Sequence, residues 1–170
     1  MNVEYNKSNI QYNYIPVAPH PGGFGAIRKH DIHTGVDIYC NDNDAVLSFD
    51  NGIIVDVGIF TGEDVGSPWW NATNYVTVQH KNYQVLYGEI TSTLKVGDCV
   101  QSNQLIGSVK QVLKRPAKTI IPNHSMSMLH IEMFDVIDCS VIKPVTWQLN
   151  APKPTFLLDP TNFLKNREKC

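Results

Sequence analysis

The sequence has no apolar run approaching the roughly 20 residues needed to cross a bilayer, so no membrane-spanning helix is expected. It has little net charge, −2 over 170 residues, and so carries no electrostatic footprint for nucleic acid or an anionic membrane. It has no Cys-x-x-Cys pair. Cys40, Cys99, Cys139 and Cys170 are scattered along the chain, which argues against a thiolate zinc site or a redox motif and favours free thiols. The start, Met1 to Lys7, lacks the basic opening and apolar core of a signal peptide. The chain is therefore read as cytosolic, as released by another route, or as a mature form without its leader. No segment holds a sustained 3.6-residue apolar period, which leaves little room for helices.

What is present is an ordinary globular composition, 42% hydrophobic and 18% charged, on a chain long enough for one domain with a core of its own. Residues 1–15 are polar and read as an extended lead-in; 16–170 read as the domain, ending in a Pro-rich tail. Pro16 to Gly25 is a shaped Pro/Gly loop. Short β-branched runs follow. Ala45–Phe49 and Ile53–Phe60 flank Asp50-Asn51-Gly52, a hairpin signal. Tyr75–His80 and Tyr83–Tyr87 predict a second hairpin about Lys81-Asn82. Val96–Val100 and Leu105–Val109 predict a third, which resembles the hairpin of lipoyl-type carriers but lacks their attachment lysine. Asn162 to Lys169 could form a short helix. Strands of this length with frequent turns mean an all-β, antiparallel domain.

The stretch Ser127 to Met133 alternates Leu129, Ile131 and Met133 with Met128, His130 and Glu132, the period of a half-buried strand. Its polar face carries a histidine two residues from a glutamate. Far upstream, His33-Thr34-Gly35-Val36-Asp37 offers an imidazole and a carboxylate around a glycine where the backbone can bend. A catalytic zinc takes three such ligands and leaves a fourth position open. Taken alone, each of these histidines is more commonly structural than metal-binding. Trp69 and Trp70, in the irregular loop from Thr61 to Asn74, could line a substrate groove or cover the edge of the core. His30 and His124 lie near the metal segments, and His80 reads as a solvated surface group. Asn71-Ala72-Thr73 fits a glycosylation sequon.

Taken together, the segments resemble the lysostaphin-type (M23) zinc metallopeptidases, which cut peptide bonds in bacterial peptidoglycan. The matching stretches are His33-Thr34-Gly35-Val36-Asp37-Ile38, Val46 to Val57, Tyr87-Gly88-Glu89-Ile90, Val96-Gly97-Asp98 to Ile106-Gly107, and Leu129-His130-Ile131-Glu132, in the family's order. The resemblance implies a single antiparallel β-sheet, barrel-like domain of the duplicated hybrid motif kind. It also implies Zn2+ held by His33, Asp37 and His130, with Glu132 orienting a ligand imidazole and a peptidoglycan peptide as substrate. Two positions depart from the family's pattern. Met128 stands where a histidine is usual, and Glu89 stands where a histidine usually follows Tyr-Gly. A thioether has no proton to give, whereas Glu89 could act as a general base. The same residues also resemble a branch that pairs Tyr-Gly-Glu with Met-Leu-His. The implied function is a zinc endopeptidase; the alternative is a catalytically impaired zinc-binding module for cell wall or protein. The residues leave the oligomeric state open.

Overall fold

The computed structural model describes residues 14–114, 127–136 and 143–167. Most of the lead-in, His124, Cys139 and Cys170 lie outside them. The strands are β1 (Asp31–Ile32), β2 (Val36–Cys40), β3 (Ala45–Leu47), β4 (Gly52–Thr61), β5 (Thr73–Gln79), β6 (Tyr83–Thr91), β7 (Cys99–Val100), β8 (Leu105–Val109), β9 (Ser127–Asp135), β10 (Trp147–Gln148) and β11 (Leu157–Leu158). One short helix, α1 (Thr161–Arg167), follows. Every strand pairing is antiparallel, as the turn-rich pattern predicts.

Nine strands form one sheet, ordered β11-β9-β6-β5-β4-β7, with β2 also on β9 and β3 tied in through β8. Strand β9 is its centre. One edge pairs first with β2 and then with β11, and the other runs along β6. Leu129 and Ile131 on β9 are fully buried with Val36 and Ile38 of β2 and Val85 and Tyr87 of β6. Their removal from water supplies the main driving force for this part of the sheet. A smaller cluster, Tyr75, Leu86, Phe134 and Leu157, fills the opposite face. Strand β9 is therefore buried on both faces, not half-buried: His130 and Glu132 are 5% and 2% exposed. The alternation correctly separates the two faces, but chain from outside the strand covers the polar one.

Two expected hairpins do not form. β3 pairs with β8 and β4 pairs with β5 and β7, although Asn51-Gly52 joins β3 to β4 directly. Distant groups hold that corner. The Phe49 N–H donates to the Tyr87 hydroxyl at 2.9 Å, and Asn51 Oδ1 accepts from the Ser102 N–H at 2.8 Å. Likewise β7 and β8, either side of the Gln101–Gln104 turn, pair with β4 and with β3 and β6, not with each other. The β5–β6 hairpin forms as expected. His80 beside it is 3% exposed, not solvated. Its Nδ1 lies 3.0 Å from the Asn51 carbonyl and its ring packs on Tyr83. Burial pushes the pKa of this imidazole down. The expected free thiols divide into a buried Cys40 and an exposed Cys99.

Helix α1 starts where Asp159 Oδ1 accepts the Thr161 N–H at 2.9 Å, with Pro160 pre-set for the first turn. It docks through Leu164, which is fully buried, and Phe163. The Arg167 guanidinium lies over the Phe49 ring, 4.6 Å from its centre, and donates to the Phe49 carbonyl. Leu164→Ala is expected to cost about 2–5 kcal/mol through the cavity it leaves. Urea denaturation checks this, and a loss below 1 kcal/mol would mean the helix does not close the core.

Candidate metal centre

The site is built by register. Asp37 of β2 lies directly across from His130 of β9, and Gly88 of β6 lies on the other side of His130. Because side chains alternate along a strand, Asp37 and His130 project from the face opposite Val36, Ile38, Leu129 and Ile131. His33 lies between β1 and β2, and its backbone bonds to Ala26 and to Gly25 of the Pro/Gly loop at 2.9 Å each. His33 Nε2 and His130 Nδ1 then lie 3.1 and 2.7 Å from Asp37 Oδ1, and 3.3 Å from each other. All three residues are buried. The structure thus brings the three expected ligands together.

The outer nitrogens fix the character of the inner ones. His33 Nδ1 sits 2.9 Å from the Gly23 carbonyl, which can only accept, so that nitrogen carries the proton. His130 Nε2 faces Glu132 Oε1 at 3.2 Å, and the same oxygen accepts the Thr34 hydroxyl at 2.5 Å. In their neutral forms both rings therefore aim lone pairs at Asp37 Oδ1. Three converging lone pairs repel unless a proton or a cation lies among them. A tetrahedral zinc with bonds of about 2.1 Å separates its donors by roughly 3.4 Å, so the observed triangle is only slightly contracted. The donor set fits a divalent cation.

Arg28 completes the arrangement, and nothing in the sequence pattern marks it out. Its Nη2 donates to Asp37 Oδ2 at 2.6 Å and to the Pro21 carbonyl at 2.8 Å, which leaves Oδ1 for the histidines. The Pro/Gly loop also contributes through the Gly22 carbonyl, which takes the Asp37 N–H at 2.9 Å. Gly35 serves for space rather than for bending. A Cβ there would lie 2.3 Å from the Ile131 carbonyl oxygen and 2.9 Å from His130 Cε1. Gly88 makes similar room for Phe60, whose ring centre is 5.1 Å from that of His130. The close glycine in His-Thr-Gly-Val-Asp was the one available signal for this packing.

Glu89 stands where β6 leaves β9 and joins β8. It adopts φ +61°, an uncommon conformation for a residue with a side chain. Its half-buried carboxyl has no hydrogen-bond partner for Oε2 among the described residues. Burial, reinforced by the negative charge of Asp37, pushes its pKa up to about 8. Burial opposes a charge on His130, but hydrogen bonds with Asp37 and Glu132 outweigh it and raise that pKa to about 10. Burial also opposes the Asp37 charge, and its histidine partners overcome this and hold its pKa below the carboxylate range.

The remaining candidates fall away from the cluster. His30 is exposed and is not among the three grouped ligands. Trp69 and Trp70 are 63% and 40% exposed, and among the described residues no contact joins them to His33, Asp37 or His130. Their loop is tied instead to 111–114: Trp70 bridges Leu113, Asn71 Nδ2 donates to the Gln111 carbonyl, and Lys114 Nζ donates to the Pro68 carbonyl. Lys110, just before that segment, gives its N–H to the Glu89 carbonyl at 2.9 Å.

Residues 31–138 match the profile of peptidase family M23. Among solved structures, lysostaphin from Staphylococcus simulans, described as an antimicrobial peptidase, superposes with a TM-score of 0.53 at 22% identity, covering 85% of this chain and 48% of its own. The solution structure of lysostaphin gives 0.53 at 21% identity, covering 95% of this chain and 55% of that one. LytU gives 0.50 at 15% identity, covering 94% of this chain and 86% of its own. The chain thus spans about half the length of lysostaphin, and at these identities the likeness is one of fold. Among curated proteins none matches.

Two outcomes are expected. In the metal-free protein the raised pKa of His130 contributes stability in full below about 6.5, and that stability fades as pH rises through about 10. Cation uptake at pH 7.5 must displace that proton. Titration with ZnCl2 in buffers of different ionisation enthalpy should therefore read between about one and two protons released per ion, one from His130 and the rest from Glu89, and zero release would contradict the assignment. Gly35→Ala should lower zinc affinity at least about tenfold, by chelator competition, because the added methyl displaces the His130 ring.

Proposed function

Because the chain belongs to peptidase family M23, we propose that it is a zinc-dependent endopeptidase acting on the peptides of bacterial peptidoglycan. The observation that carries this reading is the inward convergence of His33 Nε2, Asp37 Oδ1 and His130 Nδ1, each held by a partner on its outer side. His33, Asp37 and His130 would hold the zinc. Bound there, zinc would polarise the scissile carbonyl and lower the pKa of the attacking water toward about 7. The resemblance in the motif segments supports peptidoglycan as substrate, and the antimicrobial activity in the description of lysostaphin agrees with it.

Glu132 and Gly23 orient the two imidazoles, and Arg28 orients the carboxylate. Glu89 is the proton carrier. In the metal-free state burial and the Asp37 charge keep its carboxyl protonated at neutral pH. Once Asp37 is engaged by a cation, its charge no longer opposes ionisation of Glu89. The Glu89 carboxylate would accept a proton from the attacking water and pass it to the leaving amine. Trp69 and Trp70 offer exposed aromatic faces on which a peptide or sugar can lie.

Met128 favours a second reading. It lies on the site face two residues from His130, and its thioether neither donates nor relays a proton. On this reading the chain keeps zinc and binds cell wall or protein without cutting it. Metal analysis should find about one zinc per chain, lost in His130→Ala; no metal in either protein would exclude both readings. Purified peptidoglycan of several cross-bridge types then separates them. The peptidase reading expects fragment release by the wild type and a rate about 100-fold lower in Glu89→Gln. Wild type as inert as Glu89→Gln on every wall type leaves the binding module.

A further inference from the structure

Met128 pairs directly with Tyr39 across the β2–β9 ladder. Asp37 and Tyr39 are two residues apart on β2, and His130 and Met128 are two apart on β9. All four therefore project from one face of the sheet. The tyrosine is the nearest cross-strand neighbour of the position that lacks its usual histidine. We propose that the Tyr39 hydroxyl is a catalytic residue of this peptidase, donating a hydrogen bond to the scissile carbonyl oxygen as it gains negative charge. This rests on the peptidase reading above and names the group that does there what Met128 cannot do.

Three observations carry the assignment. Tyr39 follows Asp37 by two residues on β2, and its phenol, besides being partly buried, feels the charges of Asp37, Arg28 and Glu89. By strand alternation its side chain leaves the same sheet face as Asp37 and His130. Its ring is fixed from behind by His20, centre to centre 5.8 Å in an edge-on contact. His20 is fixed in turn, because its Nδ1 accepts the Gly22 N–H at 3.1 Å. Finally, Tyr39 is only half-buried, and among the described residues its hydroxyl has no hydrogen-bond partner. A buttressed ring whose hydroxyl donates to none of the described residues, on the face of the three converged side chains, suits the role of a pre-organised oxyanion donor. Its chemical work is the hydrogen bond alone: the proton stays on the phenol, and Glu89 carries the proton traffic.

The test is Tyr39→Phe, which keeps the ring against His20 and removes only the hydroxyl. On purified peptidoglycan its kcat should fall about 100-fold with KM unchanged within about twofold, since the bond forms as charge develops. Zinc per chain should equal that of the wild type. A phosphinate isostere of the bond that the wild type cleaves, a tetrahedral anion, should bind the variant about 100-fold more weakly. Met128→His added to Tyr39→Phe should recover at least a tenth of the lost rate. Wild-type kcat or undiminished phosphinate affinity in Tyr39→Phe overturns the assignment, as does loss of zinc, which would make the residue part of the site's assembly. A wild type that cleaves no wall type overturns the peptidase reading and this one with it, whereas an active wild type with an equally active Tyr39→Phe overturns this one alone.

Discussion

The pairing of Asp37 with His130 is the constraint on which the rest depends. A strand alternates its side chains with period two, so register decides both faces together. With Asp37 opposite His130, Val36 meets Ile131 and Ile38 meets Leu129 on the reverse side. The same ladder that aligns the donor atoms interlocks the core. A shift of one residue would turn the apolar set toward the metal cluster and bury the charges in the core. Binding chemistry and packing are therefore selected by a single geometric choice.

That choice places a carboxylate and two imidazoles where water is nearly absent, and charges there must be partnered to be tolerated. Asp37 is partnered on both oxygens, by Arg28 on one and by the histidines on the other. Glu132 is shared between Thr34 and His130. The site is thus a closed network with its polarity aimed inward. Among the described residues two buried carboxylate oxygens lack partners, Glu132 Oε2 and Glu89 Oε2, and Glu89 is also held in a left-handed conformation. Unpartnered and strained groups persist where the surrounding structure holds them. Here the kink of β6 between two neighbouring strands does so.

The sequence made some of this legible and hid the rest for identifiable reasons. Period-two alternation located β9 and separated its faces, because alternation is a local property. It did not show that both faces are buried, because Phe60 and the Pro/Gly loop cover the polar side from far away in the chain. Asn51-Gly52 announced a turn correctly but not which strands would pair, since partner choice is decided by Tyr87 and Ser102. The three ligands were recognisable as a set only through family resemblance. Arg28 and Thr34 were not, since an ion pair to Asp37 or a hydroxyl on Glu132 leaves no periodic mark.

The ligands are far apart along the chain. Asp37 and His130 are separated by 93 positions, and His33 and His130 by 97. Closing a loop of that size costs several kcal/mol of chain entropy before any contact repays it. The donors therefore cannot assemble from local structure, and Asp37 meets His130 only when β2 has zipped onto β9. During synthesis the cluster is complete only after the last long strand has emerged, so any ion it takes would meet a chain whose central sheet is already formed. A metal held there would act as a latch on finished topology, slowing unfolding more than it speeds folding.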